Sequence, residues 1–249
     1  MKKIFKPAIL PLFTPIAGVI GFGLRLWLFL GGTDEKGLLA KHHPAGILCF
    51  VLTAIVLAVV ALCAFSLKPL PSYRKLFPAR PLAGVGCFAA AAGILYVDIR
   101  DIIIRQDTIT VLALVLGLVA AACLVVLALC RFRGKRPSFW LHSAVTVYFM
   151  LHLVSQYRMW SSEPQLQVYF FPLMASVLLM LTAYHSTVLD AEKNGSRRFY
   201  VLCNQAALFF CLLSLQGASW PFYLTMALWL ATKLCSLKNL PAAPEKEET

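Results

Sequence analysis

Apolar residues in this chain come in long unbroken runs, and polar residues gather in short clusters between them. A helix needs roughly 20 mostly apolar residues to cross a bilayer. The runs are continuous and do not alternate apolar with polar, which argues against strands of a membrane barrel. The pattern predicts eight helices: Ala8–Leu30, Ala45–Leu67, Leu82–Arg105, Thr108–Cys130, Phe139–Tyr157, a sixth ending near Leu189, Phe199–Leu215 and Trp220–Ser236. Local signals punctuate them. Pro44 suits the first turn of helix 2, where its missing N–H costs nothing. Ser162-Glu163-Pro164-Gln165 has the form of a capping box and marks the start of helix 6. Pro11 and Pro15 predict a kink or irregular start in helix 1. Gln216 to Ser219 read as a tight turn.

The third run differs from the others. Gly84 to Gly93 are nearly all tiny, whereas Asp98, Arg100, Asp101 and Arg105 put four charges into its last part. Small residues spaced by three, such as Gly86/Ala90 and Ala89/Gly93, let helix backbones approach closely in a membrane. Helix 3 is therefore expected to be central, with a charged mouth at one end.

Composition sharpens the class. Sixty per cent of residues are hydrophobic and 14% charged. No stretch between runs is long enough for a soluble domain. One all-helical membrane domain is expected over residues 1–240, with 241–249 as a disordered cytoplasmic tail rich in Pro, Ala and Glu. The formal charge of +12 would suggest nucleic acid in a soluble protein. Here the excess of Lys and Arg in cytoplasmic loops accounts for it, and no nucleic-acid motif competes. Seventeen of the 23 basic residues fall at the two termini and in loops 2, 4 and 6, and five fall on the opposite side. That asymmetry predicts both termini in the cytoplasm and an even number of spans. The basic N-terminus, Lys2, Lys3 and Lys6, resembles the start of a signal peptide. The apolar run behind it is too long and lacks a cleavage site, so it reads as an uncleaved first span. The eight cysteines lie in or at the ends of apolar runs without a Cys-x-x-Cys pair, and read as reduced packing residues. Trp27, Trp160 and Trp220 near outer ends and Trp140 near an inner end fit aromatic belts.

Ionisable groups at membrane depth are the best pointers to function. Arg25 lies five residues from the end of helix 1, roughly 7 Å inside at 1.5 Å per residue. It could snorkel to the interface, or meet Asp98 or Asp101 of helix 3 near the same membrane face. Asp101 and Arg105 could instead form a local pair. His152 and Gln156 share the outer part of one face of helix 5. Arg25, Asp98, Asp101, His152 and Gln156 are the candidate ligand-binding residues. His142 and His185 sit at similar depth nearer the inner side. Two facing histidines can hold a haem iron, but there is no matching outer pair, so no haem or other cofactor is expected. The loop pair His42-His43 has no ligand spacing behind it, and no metal site is expected. Asn204 and Gln205 read as hydrogen-bond partners between helices. No phosphate loop, nucleophile elbow, zinc-protease or dinucleotide motif is present, so no catalytic residue is assigned.

Two stretches carry a resemblance: Gly32-Thr33-Asp34-Glu35-Lys36-Gly37-Leu38-Leu39 with His43-Pro44, and Tyr157-Arg158-Met159-Trp160-Ser161-Ser162-Glu163-Pro164-Gln165. They are similar to a group of uncharacterised polytopic membrane proteins from anaerobic Gram-positive bacteria. The resemblance implies a multi-pass protein of the bacterial cytoplasmic membrane and brings no activity with it.

Three functions stay open. The preferred one is binding or passage of a small solute through a polar outer mouth. A structural or sensory partner subunit of a membrane complex is the second. An embedded enzyme acting on lipid or peptide is the third, and it lacks a catalytic constellation. The expected partners are the lipid bilayer, a small solute or a membrane partner protein, and not nucleic acid.

Overall fold

The computed structural model describes residues 10–32, 43–67, 81–105, 107–135, 137–161, 166–190, 196–217 and 219–237. The basic second loop, the capping box at 162–165 and the tail at 241–249 lie outside these residues. Within them the chain is all-helical, with no strand: α1 (Leu10–Gly31), α2 (Pro44–Phe65), α3 (Pro81–Arg105), α4 (Thr108–Phe132), α5 (Phe139–Trp160), α6 (Leu166–Asp190), α7 (Arg197–Leu213) and α8 (Trp220–Leu237). The ends follow local chemistry. Pro44 begins α2 behind His43, whose side chain accepts from the Ala45 N–H, and Asp107 caps α4 by accepting from the Thr110 N–H at 3.1 Å. After α4, Gly134 takes a left-handed φ of 62°. The Lys135 N–H then reaches back to the Cys130 carbonyl at 2.9 Å, which closes the helix end.

Six helices pack in a closed ring, α3 on α4, α4 on α5, α5 on α6, α6 on α7, α7 on α8, and α8 back on α3. The ring is filled. Phe149 meets Trp229 at 6.2 Å and His152 meets Phe222 at 4.9 Å, so α5 touches α8 across the middle. Helices α1 and α2 lie outside the ring against α7.

Five helices, α1, α2, α3, α4 and α6, are long and apolar enough to cross a membrane. Their outward faces carry bare aliphatic side chains, with Leu62 65% and Ile103 70% exposed. In water such faces would be a liability, whereas lipid tails solvate them. The chain is a helical membrane protein. Among the described residues, α5, α7 and α8 fall outside that set, α7 with 17 residues. His142, His152, Ser155 and Gln156 of α5 are all buried.

The enclosed helix is α7, with 12 of its 17 residues buried. It is held between α1, α2, α6 and α8. The expectation that helix 3 occupies the centre is corrected on this point. α3 belongs to the ring wall, but its small residues do bring backbones together. A Cβ on Gly86 would collide with the Thr232 side chain and come within 3.2 Å of the Trp229 Cα, and one on Gly93 would collide with Thr225. Asn204 and Gln205 of α7 are fully buried. Their side-chain amides find no partner, so they do not form the interhelical hydrogen bonds expected of them. The seven cysteines whose side chains are described are free thiols, five of them buried. Trp27, Trp140 and Trp220 are exposed, but Trp160 is buried and stacks on Tyr169 at 5.3 Å. It faces inward and is not part of a belt.

Candidate functional site at the mouth of the bundle

Helices α1, α3, α5 and α7 finish at the same end of the bundle, where α6 and α8 begin. A cavity of about 660 Å³ lies there. That volume suits a small organic ligand. Its polar lining comes from Arg25, Arg100, Gln156, Gln216, Ser219 and Tyr223. Its apolar wall is built largely by Phe22, Leu26 and Phe29 of α1 with Val168 and Pro172 of α6.

Arg25 is placed by two backbone vacancies. α7 stops at Leu213, so the carbonyls of its last turn lack helical donors. Arg25 Nη1 donates to the Leu213 carbonyl at 2.7 Å. In α6 the donor due to the Val168 carbonyl is residue 172, a proline without an N–H. Arg25 Nη2 takes that carbonyl at 3.1 Å. The guanidinium also lies 4.7 Å from the Phe171 ring centroid and 5.4 Å from that of Phe29, within range for cation–π attraction. One arginine thus ties α1 to α6 and α7 while 4% exposed. It neither snorkels nor pairs with Asp98. Neutral carbonyls hold it, and its charge is left without a carboxylate among the described residues.

Gln216 Nε2 donates to the Phe22 carbonyl at 3.2 Å, fixing the α7–α8 turn to α1. Its Oε1 is buried and finds no donor. Arg100 closes the cavity from α3 by donating to Ser219 Oγ at 2.8 Å.

The two carboxylates of α3 turn away, toward α5. Asp101 accepts from Gln156 Nε2 at 3.1 Å, and Asp98 Oδ1 accepts from the Tyr148 hydroxyl at 3.0 Å. Asp98 and Asp101 are one turn apart on α3. Tyr148, His152 and Gln156 are spaced one turn apart on α5, so the two helices meet as a ladder. His152 lies between Tyr148 and Gln156 on α5, with its ring 5.8 Å from Tyr148 in a stacked arrangement. Asp98 fits because the facing residue of α4 is Gly117, where a Cβ would collide with Asp98 Oδ2. Arg105, one turn beyond Asp101, donates to the sulfur of Met159.

Of the five residues singled out from the sequence, Arg25 and Gln156 line the cavity. Asp101 reaches it only through Gln156, and Asp98 and His152 lie deeper in the wall behind. Sequence reasoning missed Tyr148, Gly117, Gln216, Ser219 and the Val168–Pro172 carbonyl. Pro172 inside an apolar run was the one visible signal. Nearer the other end, His185 stacks on Phe199 at 6.1 Å. Lys233 of α8 is buried, donates to Ser186 Oγ at 3.2 Å and sits 3.9 Å over Trp229.

Comparison with protein-family models, curated proteins and solved structures returns no match. The functional reading therefore rests on this geometry.

Proposed function

We propose that this is a multi-pass protein of the bacterial cytoplasmic membrane that binds a small solute in the mouth cavity as a step in passing it across. The carrying observation is the cavity itself, where polar groups from α1, α3, α5, α8 and the turn between α7 and α8 converge within apolar walls. Sites of this kind orient a ligand with a few polar contacts and bind its body by burial. In this reading all eight helices span, both ends are cytoplasmic and the mouth faces outward, as the imbalance of basic residues supports. The Asp98–Tyr148 and Asp101–Gln156 rungs hold ionisable groups in the wall of the pathway, where such groups mark solute or ion routes.

The test is a solute screen on the purified full-length protein, read as thermal stabilisation in neutral detergent. At least one solute should raise the melting temperature, and Leu215→Trp, which puts bulk into the cavity, should abolish that shift. A chemically broad screen without a stabilising compound would overturn the proposal.

A further inference from the structure

Resting on that reading, we infer that the mouth cavity takes an amphipathic organic anion, one carboxylate or phosphate on an apolar body. The first ground is charge. Among the described residues, Arg25 and Arg100 are the charged groups in the lining, and no Asp or Glu lines it. Asp101, next to Arg100 in sequence, is turned to Gln156 of α5. A guanidinium withdrawn from water is expensive unless a countercharge accompanies it. Among the described residues Arg25 meets carbonyls and ring faces alone. It also carries more N–H donors than two carbonyls can use. An acidic head between the two arginines would supply both the missing charge and the missing acceptors.

The second ground is the wall. Phe22, Leu26 and Phe29 recur on one face of α1, opposite Val168 and Pro172. That surface rewards an apolar body and offers nothing to a free inorganic ion. Leu26 is 43% exposed, and its neighbour Trp27, which does not line the cavity, is 49% exposed, so α1 places this wall next to the lipid. The acidic head could therefore belong to a soluble aryl or alkyl acid or to a lipid. Gln216 Oε1, buried without a donor, can accept one hydroxyl or N–H of the ligand.

The experiment measures binding to the full-length protein by thermal shift in neutral detergent. The probes are 2-naphthoate, 1-naphthyl phosphate, neutral 2-naphthol, cationic 1-naphthylmethylammonium and inorganic phosphate. The two naphthyl anions should stabilise the protein, while naphthol, the cation and phosphate alone should not. Arg25→Gln risks misfolding because Arg25 ties three helices together, so Arg100→Gln is the working variant. It should weaken naphthyl phosphate binding by about tenfold, the effect of losing one charged hydrogen bond. In phosphatidylcholine nanodiscs, displacement of naphthyl phosphate by phosphatidic acid would identify a lipid as the source of the head, and no displacement would identify a soluble acid. Equal stabilisation by naphthol and naphthoate would overturn the charge requirement while leaving solute binding intact. Equal stabilisation by inorganic phosphate would overturn the apolar body. No shift from any probe would overturn this inference, and the solute reading would then stand or fall with the broader screen.

Discussion

The Tyr148 hydroxyl donates to one oxygen of Asp98 at 3.0 Å, and the other oxygen of that carboxylate is buried without a donor beside Gly117. Removing a hydrogen-bond partner from a buried acceptor exposes its full desolvation penalty. Tyr148→Phe should therefore destabilise the protein by about 1–3 kcal/mol. In an Asp98→Leu background the same change should cost little. Unfolding titrations of the two single variants and the double variant give the coupling. Strictly additive losses would show that the two side chains do not interact.

Gly117 makes a second prediction at the same place. Gly117→Ala would push its Cβ into Asp98 and to within 3.2 Å of the Tyr148 ring, an overpacking of about 1–3 kcal/mol. Gly23→Ala is the control, because nothing lies within 4 Å of a Cβ there. It should be neutral or slightly stabilising, since alanine is the better helix former. Equal melting temperatures for the two variants would contradict the packing around Asp98.

Arg25 and Asp98 have separate partners, so their substitutions should act independently. Arg25→Gln loses a tie between α1, α6 and α7, and Asp98→Asn alters only the contact with Tyr148. The double variant should lose the sum of the two, within about 0.5 kcal/mol. Arg25→Lys should fail to restore stability, because a single ammonium replaces a planar fork that reaches two carbonyls. A coupling above 1 kcal/mol in this cycle would restore the direct pair expected from depth alone.

Asn204 and Gln205 put four polar atoms into the enclosed helix without partners. If protein alone surrounds them, apolar replacement of similar size is neutral or stabilising. Gln205→Met should hold or raise the melting temperature. A loss of several degrees would mean that ordered water or a ligand satisfies the amide.

Orientation has its own readout. A reporter active only in the cytoplasm should work when fused after Thr249 and be silent at Lys36 and Glu163, and an outside-active reporter should give the opposite pattern. An outside signal at the C-terminus would mean that α7 or α8 does not cross.

The sequence by itself determined the membrane class, the helix count and nearly every helix end. These follow from local terms: run length against bilayer thickness and Pro44 at a first turn. It also marked which groups lie at membrane depth, and each of the five candidates proved buried. Tertiary structure decided who meets whom. Depth is a one-dimensional coordinate along each helix, whereas pairing depends on rotation and neighbour order, which no run of apolar residues encodes. Arg25 and Asp98 are expected at similar depth from the sequence, but they meet different partners, the Leu213 and Val168 carbonyls for one and Tyr148 for the other. The packing also decided which helix is enclosed. In lipid a helix carrying polar residues such as Asn204 and Gln205 lowers its energy by moving inside, and α7 is the enclosed element. The closure of α8 on α3, the contact of α5 with α8 and the cavity left at the mouth belong to that assembly alone.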